Sequence, residues 1–305
     1  MVREAYLFAA AATLAACTNT PVDPDRDDTP VSGRAVVLAD EELRFLLEDH
    51  QLVFNATYPR ADVRIHYLPE RELTRAMLAD SVRTVFAAFR PGADQFAYYK
   101  TRRLTPHVET VAVEAIAVIA GEAAPVQRLS VEQLRAVLDG TSPTWPGTNL
   151  PIAPLFDSDG SGVPRSLVDS LFSGDVQRIK RGAALNSATE LVARVAADPS
   201  ALGFISFARL SDLDDERCRA LRQGIRLVPI AASDTGRAYM PDQGTLKDRS
   251  YPLRRPVVMT VMEGKSGLGT GFASFVAGPK GQRIILKQGL APMRVPARDV
   301  ELVQP

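Results

Sequence analysis

The chain has 305 residues, of which 46% are apolar and 24% charged, an ordinary globular make-up large enough for one α/β domain or two modest lobes. Its 36 Lys plus Arg balance 36 Asp plus Glu, which excludes a global basic field suited to nucleic acid and leaves any recognition by charge to local clusters. Three histidines (His50, His66, His107) without i,i+4 spacing, and two cysteines distant from them (Cys17, Cys218), argue against a metal site.

The N-terminus is an address. Arg3 precedes an apolar run over residues 5–16, the length of a signal-peptide core and too short to span a bilayer. Leu14-Ala15-Ala16-Cys17 resembles the bacterial lipoprotein cleavage box, which implies cleavage before Cys17 and lipidation of its sulfur. Cys218 is then the one thiol left in the mature chain, so no intramolecular disulfide can form. Residues 18–33 are rich in Asp, Thr and Pro and predict a disordered tether. Residues 1–17 thus form the signal peptide, and the implied location is the periplasm or cell envelope, lipid-anchored to a bacterial membrane.

In the body, residues 34–38 predict a buried strand. Asp40, Glu41 and Glu42 follow, with acidic charge suited to a first helical turn, and then Leu43, Leu46, Leu47, Val53 and Phe54 at helical spacing. Tyr58-Pro59 stops this helix. A strand over 63–67, a helix over 70–80 and a strand over 84–88 complete a βαβαβ pattern, which predicts a parallel sheet with crossover helices. Residues 111–120 read as one apolar strand interrupted by Glu114, either a cleft or hinge carboxylate or a satisfied edge residue. Ser130 caps a helix that Gly140 ends. A strand over 152–156, a Gly-rich turn, and helices around 167–172 and over 188–197 come next. Strands over 203–207, 225–230 and 256–262 follow, and helices over 269–277 and 280–288 close the pattern. Trp145 reads as a packing anchor and Cys218 as a surface or half-buried thiol.

The loop Asp157-Ser158-Asp159-Gly160-Ser161-Gly162-Val163 lies between a strand and a helix, where open α/β sheets bind ligands. Gly160 and Gly162 allow close backbone approach, Ser158 and Ser161 supply hydroxyls, and the first N–H groups of the helix favour an anion. Taken alone, such a loop is either a ligand grip or a plain turn. Other patterns carry less. Gly264-Lys265-Ser266 lacks the earlier glycine of a nucleotide loop, and Ser161 is outside a Gly-x-Ser-x-Gly elbow with no His after it, so no enzyme is implied.

From residue 34 onward the chain resembles the phosphate-binding proteins of ABC importers, in a divergent lipoprotein branch. The resemblance is carried by four ordered segments: the Asp-Gly-Ser-Gly loop, residues 201–205, Tyr251-Pro252-Leu253-Arg254-Arg255-Pro256, and the C-terminal run 271–292. It implies two Rossmann-like lobes joined by two crossing strands, the type II periplasmic-binding-protein fold. One lobe would comprise 34–110 plus 253–305 and the other 111–252. Two departures stand out. Asp157 and Val163 occupy positions where the family has Arg and Thr, and Asp40-Glu41 replaces its Ser/Thr-rich turn. Arg90 and Arg165 are the candidates to offset these carboxylates by bidentate pairing.

The sequence therefore predicts a monomeric, lipid-anchored receptor for phosphate or a related oxyanion that serves an ABC permease, without cofactor or metal. Its ligand-binding residues would be Asp40, Glu41, Arg90, Asp157, Ser158, Asp159, Gly160, Ser161, Gly162 and Arg165. Two alternatives are the same fold holding a cationic or metal-bridged solute, and a structural or adhesive envelope lipoprotein with a degenerate cleft.

Overall fold

The first lobe is built by alternation. Strand β1 (Gly33–Asp40) leads through a short turn into helix α1 (Arg44–Thr57), then β2 (Ala61–Leu68), α2 (Glu70–Ala76) and β3 (Thr84–Ala87). β1 pairs in parallel with both β2 and β3. α1 seats against this sheet because Leu43, Leu46, Leu47, His50 and Phe54 fall on one face at helical spacing, and all are buried. This computed structural model describes residues 28–78 and 83–294. The signal peptide, Cys17 and most of the predicted tether lie outside the described residues. The tether's last residues make specific contacts instead of hanging free. Asp28 accepts a hydrogen bond from the Leu268 N–H at 2.7 Å, and Thr29 and Ser32 are bridged.

Helix α3 (Ala93–Thr101) has no counterpart in the sequence pattern, because Tyr99 is its one buried residue. β4 (His107–Gly121) is longer than predicted and serves both halves of the molecule. Its first part pairs antiparallel with β12 and its last part with β8. Between them come β5 (Leu129–Ser130), α4 (Val131–Leu138), β6 (Ala153–Phe156), α5 (Gly162–Phe172), β7 (Ala183–Ala184), α6 (Ala188–Ala197) and β8 (Ala201–Ser206). Ser130 caps α4 through the Gln133 N–H, and Gln133 returns the bond to Ser130 N–H. The strand predicted over 225–230 is broken in two. β9 (Ile225–Leu227) pairs with β4 and β10 (Ile230–Ala231) with β5, and Pro229 between them has no N–H to continue a ladder. The short α7 (Glu216–Leu221), β11 (Ala238–Tyr239) and α8 (Gln243–Lys247) complete the second lobe. Cys218 on α7 is fully buried, not half-exposed, and burial lifts its thiol pKa to about 11.

β12 (Arg254–Val261) then crosses back and pairs with β3 as well as β4. Helices α9 (Leu268–Ala277) and α10 (Pro279–Lys287) pack against α1, with Phe272 and Phe275 edge-on to Phe54, and β13 (Ala291–Pro292) closes on β4. The main sheet therefore runs β2-β1-β3-β12-β4-β8-β6-β7, with β4 and β12 as the crossing strands. Residues that follow β1 meet residues that follow β6 across this crossing. Among the described residues, no helix is long and apolar enough to cross a membrane.

Candidate functional site: a carboxylate–guanidinium cluster between the lobes

The site starts from the end of β1. Asp40 is buried and accepts the Glu42 N–H at 3.0 Å, which caps a 3-10 turn over Glu41–Leu43. That turn carries Glu42 onto the inward face shared with Leu43 and Leu46. Glu42 is fully buried, and its carboxylate crosses to the second lobe. Its Oε1 accepts the Ser161 hydroxyl at 2.5 Å and the Gly162 N–H at 2.9 Å. Gly162 is the first residue of α5, so Glu42 sits on the positive end of that helix. Its Oε2 accepts from Arg255 Nη2.

Arg255 lies on β12 directly opposite Glu114 on β4. Its Nε donates to Glu114, which also accepts the Ser206 hydroxyl at 2.8 Å and the Ala208 N–H at 3.2 Å. Glu114 is thus a satisfied buried carboxylate at the crossing of the two lobes. Asp157 is buried at the end of β6, with Oδ2 4.0 Å from Arg209 Nε and Oδ1 without a hydrogen-bond partner.

Burial and mutual repulsion divide the carboxylates. Burial alone would raise the pKa of Glu42, but Arg255 and the Ser161 hydroxyl overcome it and hold Glu42 below the usual range. Asp40 is pushed well up by burial and by the neighbouring Glu42. Glu114 is raised by burial despite Arg255. Asp157 rises to about 6, by burial and then by repulsion from Glu42.

Around this centre the lobes are joined by further polar contacts. Ser158 donates to Glu41 Oε1 at 3.2 Å, and Arg209 Nη2 donates to the Glu41 carbonyl at 3.1 Å. Arg165 on α5 makes a two-point pair with Glu70 on α2 and a bond to Asp169 at 2.6 Å. Exposed Asp159 pairs with Arg71 at 2.7 Å, and the Gly160 carbonyl accepts the Arg71 N–H at 3.2 Å. Gly160 has φ +110°, a conformation that favours glycine. A Cβ on Gly162 would lie 2.2 Å from Glu70 Oε2, so the Glu70–Arg165 pair closes down on bare backbone.

Of the residues singled out in the sequence, Asp40, Glu41, Asp157, Ser158, Ser161 and Gly162 come together, and Asp159 and Gly160 form the rim of the same loop. Arg90 does not join them: it is exposed and donates to Thr110 Oγ1 at 2.7 Å. Arg165 answers Glu70 and Asp169, not Asp40 or Asp157. The offsetting charges expected from Arg90 and Arg165 come instead from Arg255 and Arg209. Sequence reasoning missed Glu42 and Arg255. The available signal was Glu114, a charge within the apolar stretch 111–120, and Arg255 at the head of the returning strand, which an antiparallel crossing could set face to face. Among the described residues, no group of three or more His, Cys, Asp or Glu is placed to hold a metal ion.

Residues 26–280 match the PBP superfamily domain. A comparison with curated proteins finds no match. Among solved structures, the chain is similar to one from Clostridium perfringens with bound phosphate, assigned as a phosphate ABC transporter substrate-binding protein. The two share a TM-score of 0.71 and 16% identity over 86% of this chain and 100% of that one. An ABC-type phosphate transport receptor from Vibrio cholerae gives a TM-score of 0.65 at 16% identity, over 84% of this chain and 98% of that one. The regulatory domain of CcmR from Synechocystis, in complex with 2-PG, gives a TM-score of 0.54 at 13% identity, over 81% and 96% of the two chains. At these identities the likeness speaks to the fold. The superfamily match over most of the sequence, with two lobes joined by β4 and β12, leads to one conclusion: the chain belongs to the PBP superfamily and has the type II periplasmic-binding-protein fold.

Proposed function

We propose that the chain is a lipid-anchored solute-binding protein of the bacterial envelope, which holds phosphate or a related oxyanion between its lobes and presents it to an ABC permease. The observation that carries this reading is the convergence of the Ser161 hydroxyl and the Gly162 N–H on one carboxylate oxygen of Glu42. The 157–163 loop grips an oxyanion, and Glu42 supplies one from within the chain. For a solute to use the grip, the lobes must part and withdraw Glu42 with the first lobe; the solute's oxygen then takes its place as they close. The moving bodies would be residues 34–110 with 253–305, and residues 111–252. The raised pKa values of Asp40, Glu114 and Asp157 reduce the negative charge that an incoming anion meets. The anchor would be Cys17, behind its Leu-Ala-Ala box.

Calorimetry of the mature chain with phosphate and sulfate tests the ligand. Ser161→Ala removes one hydrogen bond to a charged group, about 1.5–3 kcal/mol, and is expected to weaken binding by roughly ten- to a hundredfold. Absence of binding at millimolar anion, in the wild type and in Asp157→Arg alike, would overturn the reading. Intact-mass analysis of Cys17→Ser, expected to remain unlipidated, tests the anchor. A second reading, an envelope protein whose cleft is permanently filled, is favoured by the same Glu42 carboxylate and predicts neither binding nor a change of shape. The cationic-solute alternative loses ground because Glu42 and Glu114 are already paired with Arg255.

A further inference from the structure

Four carboxyl groups meet in the dry centre between the lobes, and two guanidinium groups answer them. Asp40 and Glu42 come from the end of β1 and the turn after it, Glu114 from β4 and Asp157 from the end of β6, and none is more than 1% exposed. Arg255 on β12 and Arg209 in the turn after β8 are the cations. The charges that border this centre have partners of their own. Glu70 on α2 holds Arg165 on α5, Glu41 takes the Ser158 hydroxyl, and Arg44 lies over Tyr67 beside Glu48. With all four carboxyl groups ionised, the centre would keep two uncancelled negative charges away from water. Burying a charge costs far more than burying the neutral acid, so the closed lobes favour protons on two of the four.

The hydrogen bonds point to which two. Glu42 and Glu114 receive donors on both oxygens, as carboxylates require: Arg255, Ser161 and Gly162 for Glu42, and Arg255, Ser206 and Ala208 for Glu114. Asp40 takes the Glu42 N–H on Oδ1, but its buried Oδ2 has no partner, and neither has the buried Oδ1 of Asp157. A neutral acid tolerates an oxygen without a donor better than a carboxylate does. Burial and repulsion from Glu42 push both aspartates up, Asp40 well up and Asp157 to about 6. Burial raises Glu114 too, but it keeps its three donors.

The lobes divide this cluster, with Asp40 and Glu42 in the first and Asp157 and Arg209 in the second. Parting them takes Asp157 away from Glu42 and lets water in. We propose that the cluster is a pH-operated latch: closing the lobes on Glu42 takes up protons at Asp40 and Asp157, so mild acid holds the cleft shut and alkaline conditions release it. This rests on the parting of the lobes proposed above and not on the identity of the solute.

The sign follows from linkage. Asp157 has an ordinary value of 3.8 when open to water and about 6 when closed in. Its contribution to closure is complete below the first value and lost as pH rises through the second. Between pH 5 and pH 8 this one group lowers the closed-to-open ratio roughly tenfold, and Asp40 adds to the change. Glu42, held below the usual range, stays charged throughout and opposes closure only in stronger acid.

The test is hydrogen exchange of the mature chain without solute, from pH 5 to pH 8, corrected for the intrinsic rate. The Gly162 N–H is held by Glu42 across the lobes, so its protection reads the opening equilibrium even when the open form is rare. The Val228 N–H, bonded to the Val118 carbonyl inside the second lobe, reads global unfolding. Gly162 is expected to be less protected than Val228 and to lose at least tenfold of its protection between pH 5 and pH 8. Asp157→Asn should remove about tenfold of that dependence. Protection of Gly162 that does not change with pH overturns the latch, as does a dependence unaltered in both Asp157→Asn and Asp40→Asn. Protection of Gly162 that equals that of Val228 at every pH also overturns it, since the lobes then part only by unfolding. Anion binding together with pH-independent protection leaves the grip reading standing and removes the latch; pH-dependent protection without anion binding does the reverse.

Discussion

The two sides of Arg255 face opposite situations. Toward the 157–163 loop, its Nε and Nη2 meet Glu114 and Glu42, and the remaining oxygen of Glu42 is taken up by Ser161 and Gly162. On the other side its Nη1 is buried without a hydrogen-bond partner, and the exposed Arg90 beyond the end of β3 donates only to the Thr110 hydroxyl. The difference teaches that the crossing is held from one side. A buried charge is tolerated when partners are built in, and a donor left without one costs stability. The paired side accounts for the cohesion of the two lobes at this crossing.

The largest effect should come from breaking the paired side. Glu42→Ala leaves Arg255 half-paired and orphans the Ser161 hydroxyl and the Gly162 N–H. Removing one partner of a buried ion pair costs about 3–5 kcal/mol, and urea unfolding of the variant is expected to fall in that range. A loss below about 1 kcal/mol would mean that Glu42 does not hold the lobes together in solution.

Asp157 tests the same side with the opposite sign. Its pKa rises from 3.8 to about 6 on folding, by burial and by repulsion from Glu42. The folded protein therefore binds an extra proton between these values, and stability falls as pH rises through them. At about 1.4 kcal/mol per pKa unit, the penalty above pH 6 is on the order of 3 kcal/mol and is absent below pH 4. Asp157→Asn should be more stable than the wild type at pH 7 by up to that amount, with the gap closing toward pH 4. Equal unfolding midpoints at both pH values would remove Asp157 from the repulsive cluster.

These charges explain why the fold was more legible in sequence than the site. Helix α6 shows its stripe of Leu191, Val192 and Val195 and its Ser187 cap, and its bounds over 188–197 follow from them. α4 is marked equally well by Ser130 and Gln133. α3, α7 and α8 bury one or two side chains each and leave no period to detect. The 157–163 loop was visible because glycines and serines between a strand and a helix are a local pattern. What fills it was not, since Glu42 lies 119 residues from Ser161 and 213 from Arg255. Hydropathy reports that a position is buried; only the β4–β12 register and the turn after Asp40 decide which charges meet. Arg90 misled for the same reason: the end of a strand fixes where a residue sits, not which acceptor its long side chain reaches.

Smaller effects should come from the rim between the two sides. Gly162→Ala would put a methyl group 2.2 Å from Glu70 Oε2, so Glu70 must move and its two-point pair with Arg165 must loosen. Overpacking of this kind costs about 1–3 kcal/mol. Urea unfolding of the variant reads the loss. Unchanged stability would show that Glu70 has room to swing away.

The smallest effect is expected at Arg71, although it also links the lobes. Its pair with Asp159 is 2.7 Å long, yet the side chains are 53% and 84% exposed, so water and salt screen the attraction and holding both chains costs entropy. The Arg71 N–H to Gly160 carbonyl bond belongs to the backbone and survives substitution of the side chain. Arg71→Ala should therefore change unfolding stability by less than about 1 kcal/mol, and less still at high salt. A loss as large as that of Glu42→Ala, persisting at 1 M salt, would contradict the division between a dry paired centre and a solvated rim: it would make the loop's outer edge, rather than Glu42, the clasp that keeps the lobes closed.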